Sequence, residues 1–159
     1  MNKIEEQFLN LIHEHQKIIY KVCRTYRDRR EDQEEVFQEI VYQLWKSYPS
    51  FKGESKISSW MYRIALNTAI AVYSKRKLPV DCDDKMPEQM HSDIPEHVSE
   101  NEERLFQALR TLNDTDKALI SLFLEGFTYQ EIAAITGIKE TNKGVRLNRI
   151  KNKLKEILK

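Results

Sequence analysis

The chain has 159 residues, 26 Lys+Arg against 25 Asp+Glu, 40% hydrophobic residues, and only four Gly, four Pro and two Cys. So few turn-formers argue against a β-sandwich or a dinucleotide-binding α/β fold; apolar runs such as 69–73 fall far short of the ~20 residues that span a bilayer, and Cys23 and Cys82 make neither a disulfide framework nor a zinc motif. The net charge of +1 conceals acids gathered between Asp81 and Glu103 and bases gathered between Lys139 and Lys159, and binding answers to local fields rather than to totals.

In chain order, Ile4, Phe8, Leu11, Ile12, Ile19, Val22, Cys23 and Tyr26 recur at helical spacing and predict one long amphipathic helix. A polar turn at 27–30 follows. Asp32 is then expected to cap a second helix with Val36, Phe37, Ile40, Val41, Leu44 and Trp45 on its apolar face, ending before Pro49. After a loop over 50–56 containing Gly53, a third helix is predicted over about 58–74. Lys75, Arg76 and Lys77 close this half with a basic patch.

Residues 78–98 read as an acidic flexible linker, because Pro79, Pro87 and Pro95 forbid a continuous helix and apolar periodicity vanishes. Beyond it four shorter helices are expected. The first covers about 99–112, and the next is capped by Asn113 or Asp114 and stopped by a left-handed Gly126. A third opens with a capping box, Thr128 to Glu131, turns Ile132, Ala133 and Ile135 inward, and stops at Gly137. The last runs over about 139–158 with Leu147, Ile150, Leu154, Ile157 and Leu158 on one face. The expectation is all-α: two small helical bundles, residues 1–77 and 99–159, joined by the linker.

Small Ala133 at a helix crossing, a glycine turn and a basic second helix are what a DNA-binding helix-turn-helix requires. On that second helix Asn142, Asn148 and Arg149 can reach base edges. Arg146 shares a face with Arg149, while Lys139, Lys143 and Lys151 suit phosphates. Lys153, Lys155 and Lys159 read as solvated. Residues 48–67 interleave aromatics, hydroxyls and bases around a loop, a mixture suited to stacking and holding an unpaired strand. Core packing competes with that role: Phe51 and Ile64 are expected to be buried, whereas Trp60 and Asn67 are open to either role.

The residues now carry a specific resemblance. Residues 32–39 (Asp-Gln-Glu-Glu-Val-Phe-Gln-Glu), Leu44-Trp45, 51–55 (Phe-Lys-Gly-Glu-Ser) and 59–67 (Ser-Trp-Met-Tyr-Arg-Ile-Ala-Leu-Asn) resemble region 2 of the extracytoplasmic-function sigma factors of bacterial RNA polymerase. Residues 105–155, centred on 124–133, are similar to their region 4. The resemblance implies that Glu35, Gln38 and Glu39 grip the clamp helices of the polymerase β′ subunit. It implies that the loop from Phe51 through Lys52 to Lys56, with Ser58, Ser59, Trp60, Arg63 and Asn67, captures and melts the −10 promoter element. Region 4 would place its last helix, including Thr141, in the −35 major groove and dock on the β flap, and the linker would thread toward the RNA exit path. An anti-sigma factor is a further candidate partner.

The family commonly shows Thr-Val and Lys/Arg-Ser-Arg after the glycine turn, where this chain has Thr141-Asn142-Lys143-Gly144-Val145-Arg146. Lys143 takes an apolar position and its stem would snorkel; Gly144 weakens the helix by ~1 kcal/mol relative to Ala. Glu35 stands where aspartate is common.

Nothing reads as catalytic. His13 and His15 point to different sides of a helix, and Glu88 and His91 lack the second such motif that a di-iron bundle needs. No metal, no cofactor and no enzymatic activity are therefore expected. Acids near the N-terminus, where a signal peptide carries bases, give the expectation of a cytoplasmic protein. The rival reading is a stand-alone helix-turn-helix regulator with a helical sensor domain.

Overall fold

The structure, a computed structural model, describes residues 2–53, 56–75 and 98–159, with the side chains of 73–75 and 140–143 excepted. These residues form seven α-helices and one 3₁₀ turn, with no strand among them. The linker 78–97, its expected threading path, Cys82 and the Glu88/His91 pair lie outside the described residues, as do Arg76 and Lys77.

Helix α1 (Lys3–Tyr26) is capped by Asn2, whose side chain accepts from the Glu5 N–H at 2.8 Å. It is not a single straight element. His15 leaves helical geometry at φ −112° and ψ 20°, so the apolar stripe is split into Phe8 and Ile12 on one side and Ile19, Val22 and Cys23 on the other. Ile4, expected on that stripe, is exposed. Helix α2 (Arg30–Ser47) begins earlier than its sequence signals suggest. Asp32 does not cap it; Arg29 stands at the cap with no side-chain bond to the free N–H groups of the helix, and Asp32 joins Glu31 in the first turn, where the helix dipole favours acids. Helix α2 runs into a 3₁₀ turn (Tyr48–Ser50) that accommodates Pro49, and α3 spans Ile57–Lys75. Phe8, Phe37, Ile40, Leu44, Met61 and Ala65 are sealed between these three helices.

In the second half, α4 (Glu100–Arg110) is capped by Ser99 and α5 (Asp114–Leu124) by Asn113. Gly126, at φ 91°, ends α5: its N–H reaches the Phe123 carbonyl at 3.0 Å and the Phe127 N–H reaches Leu122 at 3.2 Å, the paired bonds of a Schellman stop. The Thr128 capping box opens α6 (Tyr129–Thr136), left-handed Gly137 closes it, and α7 (Glu140–Leu158) follows. Leu147, Ile150 and Leu154 of α7 are buried and Leu158 packs against the core, but Ile157 is exposed.

The two bundles pack against each other: α1 touches α4 and α5, and α3 touches α6. Their buried residues form one continuous apolar cluster. This closed arrangement decides what the functional surfaces face.

Candidate nucleic-acid interface

Trp60, Arg63 and Asn67 are spaced three and four apart on α3, so they share one face beside the loop that precedes it. The loop begins where the Phe51 N–H bonds back to the Tyr48 carbonyl at 3.0 Å, and Gly53 turns it at φ 73°. Neither aromatic is fully buried. Phe51 stacks on Trp60 at 4.8 Å between centroids and 13° between planes, and Tyr48 lies 6.5 Å from the indole. The expected burial of Phe51 and Ile64 is thus only partial, since the indole covers one face of the phenyl and the rim of α3 is open. Ser58 and Ser59 are half-buried, whereas Lys52, Lys56, Arg63 and Asn67 are exposed.

Two cations beside this aromatic face have partners in the second bundle. Lys56 Nζ lies 3.2 Å from Glu131 Oε2, and Arg63 Nη2 donates to the Ala134 carbonyl at 3.2 Å. Asn67 and Arg63 line a crevice of ≈ 180 Å³ with Thr115, Ile135, Thr136 and Ile138. Glu131 also accepts from the Thr128 N–H at 2.9 Å. That backbone donor first, and Lys56 second, hold its carboxyl below the usual glutamate range.

On α2, Glu35 is exposed, while Gln38 and Glu39 are half-buried on the same side of the helix. Gln43 donates to Glu39 Oε1 at 3.2 Å, which orients that carboxylate without neutralising it.

In the helix-turn-helix, Lys139, Asn148 and Arg149 are exposed. Two other expected DNA contacts are otherwise engaged. Arg146 Nη2 lies 3.3 Å from Asp116 Oδ1 on α5, and Lys151 Nζ sits 3.9 Å over the Phe123 ring. In both cases a neighbour within the same bundle, an acid or an aromatic face, competes with phosphate for the cation. The side chains of Thr141, Asn142 and Lys143 lie outside the described residues, and so do Glu54 and Ser55 of the loop. Ala133 is half-buried at the crossing, as a tight helix pair requires.

Comparison with known families decides the identity. Sigma-70 region 2 matches residues 11–78, and Sigma-70, region 4 matches residues 102–154. Together they account for most of the chain, in the order the motifs imply. The protein is 29% identical over 139 residues to the RNA polymerase sigma factor SigV of Bacillus subtilis, covering 87% of this chain and 82% of that one. It is 32% identical over 120 residues to the ECF RNA polymerase sigma-E factor of Haemophilus influenzae, covering 67% and 64%. The chain belongs to the extracytoplasmic-function sigma factors.

This sigma factor spans just under two thirds of the length of the sigma-E relative it matches. Its fold is shared with the sigma factor RpoE solved in complex with the anti-sigma factor NepR from Bartonella quintana, at TM-score 0.68 and 18% identity over 99% of this chain and 98% of that one. CnrH, solved with the cytosolic domain of CnrY, gives TM-score 0.65 at 18% identity, covering 95% and 86%. The stand-alone regulator reading gives way, because a sigma region occupies the residues a sensor domain would need. Among the described residues no cluster of His, Cys, Asp or Glu is placed to hold a metal, and no helix is long and apolar enough to cross a membrane.

What the sequence did not reveal is the set of residues that join the bundles. Arg110, half-buried on α4, donates through Nε to the carbonyls of Arg24 (2.8 Å) and Arg27 (3.1 Å) at the end of α1. The Tyr26 hydroxyl donates to the Asp114 carbonyl at 2.9 Å, Lys21 pairs with Glu125 at 2.6 Å, and Tyr62 meets the Phe127 ring edge-on at 5.6 Å. Burial first, and then Glu125 nearby, push the Tyr62 phenol up. No motif or periodicity signals such pairs.

Proposed function

We propose that this sigma factor binds core RNA polymerase through residues 1–77 and opens promoters with the aromatic face of the same domain, while residues 99–159 read the −35 element. Glu35, Gln38 and Glu39 supply an acidic and amide face for the β′ clamp helices. Phe51, Lys52, Lys56, Ser58, Ser59, Trp60, Arg63 and Asn67 hold the −10 strand: the rings stack on unpaired bases, hydroxyls and amides bind base edges, and cations meet the backbone. Lys139, Thr141, Asn142, Lys143, Arg146, Asn148, Arg149 and Lys151 form the duplex-binding side of α7, with the β flap as a second contact of the domain. The acidic segment 78–98 connects the two as a flexible linker. An anti-sigma factor is a fitting regulator. The protein works in the cytoplasm and carries no catalysis of its own; phosphodiester chemistry belongs to the polymerase.

The observation that carries this reading is the alignment of Trp60, Arg63 and Asn67 on one face of a region 2 helix, within a chain whose other half is a region 4 helix-turn-helix. Run-off transcription with purified core polymerase and a library of genomic promoters tests it. Discrete transcripts that require the protein are expected; core polymerase that neither binds it nor changes its start sites would refute the assignment.

A further inference from the structure

Val145 stands at the centre of the outer face of α7. On a helix, residues 145, 148, 149 and 152 fall on one stripe, and it lies opposite the buried Leu147, Ile150 and Leu154. Asn148, Arg149 and Asn152 are polar and exposed. Val145 keeps 62% of its surface accessible, more than any other large hydrophobic residue among those described.

Internal packing does not account for it. Valine, branched at Cβ, is a weaker helix former than alanine or lysine, and in water it gains nothing from burial. Its neighbour Gly144 weakens the helix further, although its backbone is not left-handed. A Cβ at 144 would meet only the Tyr129 ring, at 3.8 Å, an ordinary contact. The fold thus demands neither residue, and together they leave the two methyl groups of Val145 bare, with no side chain from position 144 beside them.

A lone valine between two amides and a guanidinium is too polar a setting for a protein-docking patch, where apolar residues cluster. Those three chemistries are instead the ones that discriminate base edges in a major groove: an amide for adenine, a guanidinium for guanine, and apolar surface for the C5-methyl of thymine. We propose that Val145 is a specificity-determining residue of the −35 contact: its methyl groups pack against the C5-methyl of a thymine and so select an A·T pair at that position. This inference rests on the −35 assignment made above. Val145 precedes Arg149 by four residues, about 6 Å of helix, against ~3.4 Å per base step. The selected thymine therefore lies within about three base pairs of the base that Arg149 reads.

The test uses holoenzyme assembled from core polymerase and the full chain, on a promoter recovered from the run-off library. Each thymine of the −35 element, on either strand, is replaced in turn by deoxyuridine, which lacks only the C5-methyl. At one position the natural holoenzyme is expected to bind the uracil duplex roughly threefold to tenfold more weakly, the worth of about one buried methyl group. V145S exchanges both methyls for a hydroxyl at similar helix propensity. It should bind the thymine duplex as weakly as the natural protein binds the uracil one, and should not distinguish the two. Equal binding of thymine and uracil by the natural holoenzyme at every position overturns the inference, as does a V145S protein that keeps the preference. A V145S protein that assembles less well with core polymerase would assign the valine to a protein contact and overturns it too. R149A on the same duplexes reads the −35 assignment separately. A changed base preference in R149A with no uracil effect sinks the role of Val145 alone; no change in either removes α7 from the groove, and both readings fall.

Discussion

Lys56 and Glu131, 75 positions apart in the chain, stand 3.2 Å from each other across the domain boundary. The same glutamate closes the capping box of α6 by accepting from the Thr128 N–H. One carboxylate therefore serves two purposes: it starts the first helix of the helix-turn-helix, and it holds the cation that precedes α3. Local helix chemistry and domain closure are coupled through a single side chain, and removing its charge reaches both.

That coupling has a pH signature. The Glu131 pKa in the folded chain lies below its ordinary value of about 4.3, so its stabilisation is present above that value and is lost as pH falls through the depressed one. Urea unfolding at a series of pH values is expected to show the natural chain more stable than E131Q at neutrality, with the gap closing only below the ordinary glutamate range. Glutamine still fits the capping box, so the comparison isolates the charge. A gap that stays constant down to strong acid would contradict the assignment.

Asn67 is exposed and Trp60 is half-buried under Phe51, so their alanine variants should separate. N67A is expected to lower open-complex formation, measured by permanganate reactivity of the −10 thymines, with core binding and stability unchanged. W60A should show the same defect plus a stability loss of about 1–3 kcal/mol from the lost stacking and burial. Substituting Gln38 and Glu39 by alanine should instead weaken core binding. Equal loss of both activities in N67A would remove Asn67 from the strand-binding face.

The parts of the fold that were legible in the sequence are those specified within a turn or two of chain. Thr128 and Glu131, Asn113, Gly126 and Gly137 each announce a local hydrogen-bond pattern, and each does what its residue type requires. Asp32 misled because an acid near a helix start suits the cap and the first turn alike, and the backbone of α2 chose the second. Ile157 misled because in the last turn of α7 it is Leu158, beside it, that packs against the core. The closure of the two domains was not legible at all: Lys21 with Glu125 and Arg63 with Ala134 are distant polar pairs that periodicity does not encode. For the same reason the contacts of Arg146 with Asp116 and of Lys151 with Phe123 were not legible.

Arg110, at the domain boundary, keeps only 13% of its side chain accessible, and it supplies donors to the carbonyls of Arg24 and Arg27 at the end of α1. R110A removes this donor from the Arg24 carbonyl, leaves the Arg27 carbonyl to Gln33 Nε2, and breaks the pair with Glu103. A loss of about 2–3 kcal/mol in urea unfolding is expected, because hydrogen bonds from charged groups exceed neutral ones. R110K should fall between the two proteins, since an ammonium brings charge but not the planar fork. A stability of R110A indistinguishable from the natural chain would mean that solvent replaces the guanidinium at no cost.

Arg149 and Arg146 lie three residues apart on α7, but their surroundings assign them different work. Arg149 is exposed and available to a base edge, whereas Arg146 is held by Asp116. R149A should cost roughly 1–3 kcal/mol at one −35 position and relax preference there, measured by anisotropy against duplexes carrying each base at that position. D116N should release Arg146 toward phosphate, tightening duplex binding uniformly across sequences and steepening its salt dependence by about one released counterion. The two variants thus separate a base contact from a restrained cation: the first changes which sequence is bound, the second changes how binding responds to salt. A D116N protein whose salt slope matches that of the natural chain would show that Arg146 already reaches the backbone while paired.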